Sequence, residues 1–259
     1  MPGLNHCRFS GRAVSYLTCF SLNQPFSGDA PGVRDALLNI VGVRIWCGDY
    51  ERPQQLLEEV EVGAEATPWL ALRCQLIRGA LAQRQERVVD AERYLLDAHH
   101  RAEELGTTLY LARIEFELAN LLASHGRLKK AATYIKSALV AYATMGQPDI
   151  EVEAFALAAR LFASLGDASR AGERAEQAAT RLKQKRLQSH SEIAWNLAAT
   201  YAITGDDKAA KASAQDAAAA AVDDALLMPA DLAETYLRLG WHQQMVAYLC
   251  GRPVTLRFE

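Results

Sequence analysis

Proline is scarce, at 8 of 259 residues, and half of the chain is hydrophobic, so a protein disordered along most of its length is excluded. An excess of positive charge is missing too: 28 Lys and Arg face 31 Asp and Glu, a net charge of −3. A protein that neutralises many phosphates needs the opposite balance, so no direct nucleic-acid contact is expected. The five cysteines, at 7, 19, 47, 74 and 250, are odd in number and contain no Cys-x-x-Cys pair. They exclude a disulfide framework and a thiolate zinc site, and read as reduced thiols of a cytoplasmic protein. No run reaches the 18 or so apolar residues of a membrane span, so no membrane partner is expected. Near the start, "CRFSGRAVSYLTCFSL" places Arg8 and Arg12 before a short apolar run, but Ser15, Thr18, Cys19 and Ser21 interrupt it. With no small-x-small cleavage site following in "NQPFSGDAPG", the segment is not read as a secretory signal.

What is present is helical periodicity. From residue 32 onward amphipathic segments such as "VRDALLNIVGVRIWC", "PQQLLEEVEV" and "WLALRCQLIRGALAQR" alternate with short breakers, and no run shows the sustained alternation of a strand. Gly48, Gly106, Gly126, Gly146, Gly166, Gly205 and Gly240 follow apolar segments, while Pro68, Pro148 and Pro229 stand near starts.

The breakers recur at a fixed interval. "HGRLKKAATYIKSAL" places Gly126, Ala131 and Ala138 at offsets that "LGDASRAGERAEQAA" repeats with Gly166, Ala171 and Ala178, and "TGDDKAAKASAQDAA" with Gly205, Ala210 and Ala217. Anchors at Ala91, Ala131, Ala171 and Ala210 lie 40, 40 and 39 residues apart, each followed seven residues on by Ala98, Ala138, Ala178 or Ala217. Such a period signals a solenoid. The glycine ends one helix in a left-handed conformation, and the next begins a few residues later. Small residues seven apart share a face of that second helix, where its backbone comes close to its neighbours.

This pattern resembles the tetratricopeptide repeat. The best-matching stretch is "LAATYAITGDDKAAKASAQDAA", with Leu197, Ala198, Tyr201, Gly205, Ala210 and Ala217 at motif positions. An earlier small residue of the motif falls at Gly79, Ala119, Ala159 and Ala198; Glu86 replaces the expected glycine of the second unit, and Trp195 stands one position late for the motif's tryptophan. The spacing is longer than the standard 34 residues. It is similar to the stretched variant in sensor regions of LuxR-type regulators and of peptide-sensing bacterial regulators. The resemblance implies an all-α, right-handed α-solenoid of antiparallel helix pairs, about six hairpins over residues 32–250. Residues 1–31 are then an irregular lead-in and 251–259 a C-terminal tail. The chain has no Gly-x-x-x-x-Gly-Lys-Ser/Thr loop and no basic recognition helix at its end, so it corresponds to the sensing or docking half of such a regulator.

Catalytic and metal chemistry find no constellation, and no cofactor is expected. His99 and His100 are adjacent, so on a helix they diverge by about 100° and cannot chelate one ion. Asp206 and Asp207 stand at a helix start, where carboxylates cap free amides and meet the helix dipole. No Gly-x-Ser-x-Gly elbow and no catalytic cysteine context is present. By the resemblance, the first helices of successive units line a concave groove. This brings Arg73, Arg84, Arg113, Phe116, Asn120, Arg160, Trp195 and Asn196 onto one surface, with Glu117 and Glu153 among them. Arginine can fork a carboxylate, asparagine can pair with both groups of a peptide backbone, and an aromatic ring can anchor an apolar side chain. The expected partner is therefore another protein or an extended or acidic peptide segment, bound by a non-enzymatic scaffold in bacterial regulation or complex assembly. The alternative is a ligand or signal-peptide sensor module of a transcriptional regulator. An end repeat also offers a surface for a homodimer.

Overall fold

The computed structural model describes residues 31–61, 67–146, 148–184, 186–187 and 189–258, and these contain twelve helices and no strand. In order they are α1 Pro31–Trp46, α2 Glu51–Glu61, α3 Pro68–Arg84, α4 Val88–Glu104, α5 Thr108–Ser124, α6 Leu128–Met145, α7 Pro148–Ser164, α8 Ala168–Gln184, α9 His190–Thr204, α10 Asp207–Leu226, α11 Ala230–Leu237 and α12 Gly240–Leu249. From α1 to α10 neighbouring helices pair as hairpins, each hairpin stacks on the next, and α11 and α12 both pack on α10, giving an all-α solenoid. The expected lead-in up to residue 30 lies outside the described residues.

The conserved offsets within the chain have a direct physical cause. At Gly126 the backbone turns to φ 70°, and the chain closes α5 with two hydrogen bonds, Gly126 N–H to the Ala123 carbonyl at 3.2 Å and Arg127 N–H to Leu122 at 2.9 Å. This pair of bonds satisfies carbonyls that the helix end would otherwise leave open. Glu86 takes the glycine's place after α3 and adopts the same left-handed backbone, φ 60°, with the same two bonds to Gln83 and Ala82. It is the only non-glycine residue at positive φ among the described residues. Gly240 behaves differently from the expectation: it opens α12 instead of closing a helix. Asp206 does cap α10, its carboxylate accepting from Ala209 N–H at 3.0 Å.

The small residues are where helices meet most closely. Ala91, Ala98, Ala131, Ala138, Ala171, Ala178, Ala210 and Ala217 are all fully buried. Gly79, on the first helix α3, makes the facing contact: a Cβ built there would come within 2.6 Å of the Leu95 side chain of α4. The second helices are strongly two-faced: α8 buries Ala171, Ala175, Ala178 and Leu182 and turns its charged residues outward. The inner helix α9 is covered on most sides, burying Ile193, Ala194, Trp195, Leu197, Ala198 and Ala199.

The solenoid also bends back on itself, which periodicity alone did not show. The end of α1 meets α11 near the other end of the chain: Trp46 and Tyr236 rings lie 4.9 Å apart, and Thr235 Oγ1 donates to the Cys47 carbonyl at 2.8 Å. Cys47 Sγ is 3.9 Å from Met228 Sδ, and burial pushes this thiol up to about 12, so it stays protonated and inert. Tyr236 is held in turn by Ser191, hydroxyl to hydroxyl at 2.9 Å.

Two substitutions test this packing. Ala138→Leu should destabilise the protein by about 1–3 kcal/mol through overpacking, whereas exposed Val140→Leu on the same helix should be near neutral in urea unfolding. Glu86→Gly should stabilise it by about 0.5–1 kcal/mol, the relief of a left-handed side chain less glycine's extra unfolded entropy. A higher melting temperature would register the gain.

Candidate functional site

The inward curve of the first helices forms a half-open cavity of about 400 Å³. Helix α1 supplies Asn39, Gly42 and Trp46, α3 supplies Arg73, Ile77 and Arg84, and α5 supplies Tyr110, Arg113, Phe116, Glu117 and Asn120. On the far side stand Glu153, Ser189, Glu192, Ile193 and Asn196. These residues reach one space because first helices repeat at a constant offset, so equivalent turns stack across the wall.

Six of the eight groove residues expected from sequence line this cavity: Arg73, Arg84, Arg113, Phe116, Asn120 and Asn196. Trp195 does not. It sits one position away from the groove-facing row, fully buried beneath Tyr248 of α12 at 6.0 Å between rings, with its indole N–H unpaired among the described residues. Arg160 does lie on the concave side, but the segment after α12 covers it. Its Nε donates to the Leu256 carbonyl at 2.9 Å, its Nη1 donates to Asn196 Oδ1 at 3.2 Å, and its guanidinium lies 4.3 Å from the Phe258 ring centre. This covering pulls its pKa down to about 10, Glu192 offsetting part of the shift, and it stays charged at neutral pH.

The cavity's charges are matched. Arg73 donates to Asp35 at 2.5 Å and Asn39 at 2.9 Å, and Arg84 lies 3.8 Å from Glu192 across the space between α3 and α9. Arg113 bridges Glu117 at 2.7 Å and Glu153 at 3.2 Å, and Ser189 donates to Glu153. Burial opposes the charge on Arg113, but Glu117 and Glu153 outweigh it and hold its pKa above the ordinary arginine value. Each of these arginines thus faces a carboxylate of the chain itself. Asn120 differs: it faces the cavity one turn beyond Phe116, and its carboxamide has no hydrogen-bond partner among the described residues.

Sequence reasoning missed the contribution of α1, whose hairpin departs from the repeat pattern, and it missed Tyr110, packed edge-on to Trp69 at 4.7 Å. Tyr110 stands in the first turn of α5, where an aromatic at helical spacing carries no distinguishing signal. No group of three or more His, Cys, Asp or Glu able to hold a metal occurs among the described residues. No helix there is long and apolar enough to cross a membrane.

No family model matches the chain, and no curated protein matches it. Among solved structures it is similar to BtubC (BKLC) from P. vanneervenii, at 20% identity and a TM-score of 0.59, over 74% of this chain and 82% of that one. It is also similar to NprR in complex with its cognate peptide NprX, at 15% identity and a TM-score of 0.56, over 87% of this chain and 73% of that one. At these identities the likeness establishes the class alone, a helical-repeat protein.

Glu192 makes the enclosure measurable. Withdrawal from bulk water raises its pKa above 4.5, Glu153 and Glu117 add to the shift, and Arg84 and Arg113 oppose it. A carboxyl that holds its proton more tightly when folded loses stability as pH rises from its unfolded value through the raised folded one. Glu192→Gln escapes that loss. Its urea midpoint should improve relative to the native protein as pH rises above about 4.5, and an offset that is constant with pH would contradict the shielding of Glu192.

Proposed function

We propose that the chain is a non-enzymatic peptide-binding module of the long tetratricopeptide-like kind, which takes an extended segment of a partner protein into its central cavity. The observation that carries this reading is the row along α5, where Asn120 presents its carboxamide to the cavity one turn beyond the Phe116 ring, on which Arg113 stacks. A carboxamide offers both a donor and an acceptor, which is what the backbone of an extended peptide presents. Phe116, Tyr110, Leu76 and Ile77 supply the apolar contacts that would hold a side chain. NprR, with a related fold, is known in complex with a peptide, which supports the same class of ligand here. Balanced charge inside the cavity favours a neutral or mixed segment over an acidic one. The setting that fits is regulation or complex assembly in the bacterial cytoplasm.

A sensor role is the second reading, and the contact between α1 and α11 favours it. Few side chains make this closure, so a ligand that needs the ring open would change the molecule's compactness, whereas a plain scaffold would keep it.

Gly42 gives a clean test. It lines the cavity, and a Cβ there would meet nothing within 4 Å, so Gly42→Phe points a ring into the space without disturbing the wall. Random peptides displayed on phage should be enriched by the native protein and bind the folded Gly42→Phe variant at least about tenfold more weakly, a loss of about 1.4 kcal/mol. Equal binding by both would place the peptide site elsewhere.

A further inference from the structure

The segment after α12 lies on this surface as an extended chain. Residues 252–258 run without helix, and their exposure alternates: Val254, Leu256 and Phe258 are half-buried, while Thr255 and Arg257 are exposed. That two-residue period is the mark of an extended chain lying with one face on a wall. Leu256 and Phe258 pack against the main apolar core. Arg160 on α7 accepts the segment's weight through two contacts, donating Nε–H to the Leu256 carbonyl at 2.9 Å and stacking on the Phe258 ring at 4.3 Å. Ser164, one turn further on, accepts a hydrogen bond from Phe258 N–H at 3.1 Å. Backbone and side chains are thus read separately, as when a peptide is bound in an extended form.

The place is not independent of the cavity. Asn196 lines the cavity and also accepts from Arg160 at 3.2 Å, so it stands at the boundary between the open space and the covered surface. A segment lying in the cavity and continuing past Asn196 would meet residues 256–258.

We propose that Arg160, Ser164 and the apolar wall around them form a second peptide subsite, continuous with the cavity at Asn196, and that the chain fills it with its own segment 252–258. Its proper partner is an extended segment with apolar side chains at alternate positions ending in an aromatic residue, as Val254, Leu256 and Phe258 are arranged. A partner peptide with that spacing displaces the chain's own segment and binds cavity and subsite together. This deepens the peptide-binding reading and rests on it for the cavity, but the subsite can be tested alone.

The probe is a fluorescent synthetic peptide with the sequence of residues 251–258, and the protein is the full chain. Leu256→Ser with Phe258→Ser should release the native segment, so the released variant binds the probe at least tenfold more tightly than the native protein does. Adding Arg160→Ala to that variant should remove the gain. Should the double variant fail to fold by circular dichroism, Phe258→Ser alone is measured, and a smaller gain abolished by Arg160→Ala supports the same subsite. No gain on release in a folded variant overturns the proposal, and so does native protein that binds the probe as tightly as the released form. The cavity reading is kept distinct by Gly42→Phe: it should leave the probe's affinity for the released variant unchanged while reducing the binding of peptides selected on the native cavity. Loss of both together would overturn a separate subsite, and failure of the probe with selected peptides still sensitive to Gly42→Phe would leave the cavity as the only site.

Discussion

Close approach of helix backbones along the alanine stripe is the constraint on which the structure depends. Side chains no larger than a methyl at Ala98, Ala138, Ala178 and Ala217 let each second helix nestle against its neighbours, and each lies fully buried. Because the contact repeats at nearly constant spacing, each hairpin is rotated on the last by a similar increment, and curvature accumulates. Along the stack it brings the end of α1 to α11, where Trp46 meets Tyr236. The cavity is a consequence of that curvature. Larger residues in the stripe would spread the hairpins and open the space that α3, α5 and α9 now face.

Charge inside the cavity follows from the enclosure. Arg113, only partly withdrawn from bulk water with 41% of its side chain still exposed, has Glu117 and Glu153 on either side. The same withdrawal raises the pKa of Glu192, whose partner Arg84 reaches it only at 3.8 Å. Recognition in such a space rests on groups that the protein has not already paired, which is why Asn120 and the apolar rings around it matter more than the number of arginines. The covered surface at Arg160 works by the same rule: its guanidinium is satisfied by a backbone carbonyl, by Asn196 and by an aromatic face instead of by a carboxylate.

The repeat was legible because turn chemistry and close packing restrict residue type. Gly126, Gly166 and Gly205 at left-handed turns and the paired alanines are positions with few substitutes, and the structure uses them as their spacing implied. Glu86 shows how far such a rule bends, taking the glycine's conformation at some cost. The first helices were less legible, since concave positions tolerate many residue types. A one-position offset was enough to turn Trp195 from a groove anchor into a core residue. Ring closure joins residues 188 positions apart and the folding back of residues 252–258 joins residues 94 to 96 apart, and no local pattern encodes either one. Arg160 was therefore read as an open groove residue although the chain itself covers it.

The central claim is that ligand enters the space enclosed by the first helices. Isoleucine methyl resonances report on it directly, because Ile77 and Ile193 line the cavity while Ile114 and Ile135 are sealed within the walls. Titration of a selected peptide into the labelled protein should move the Ile77 and Ile193 methyl signals and leave those of Ile114 and Ile135 in place. Saturable binding that leaves Ile77 and Ile193 unmoved would contradict the account.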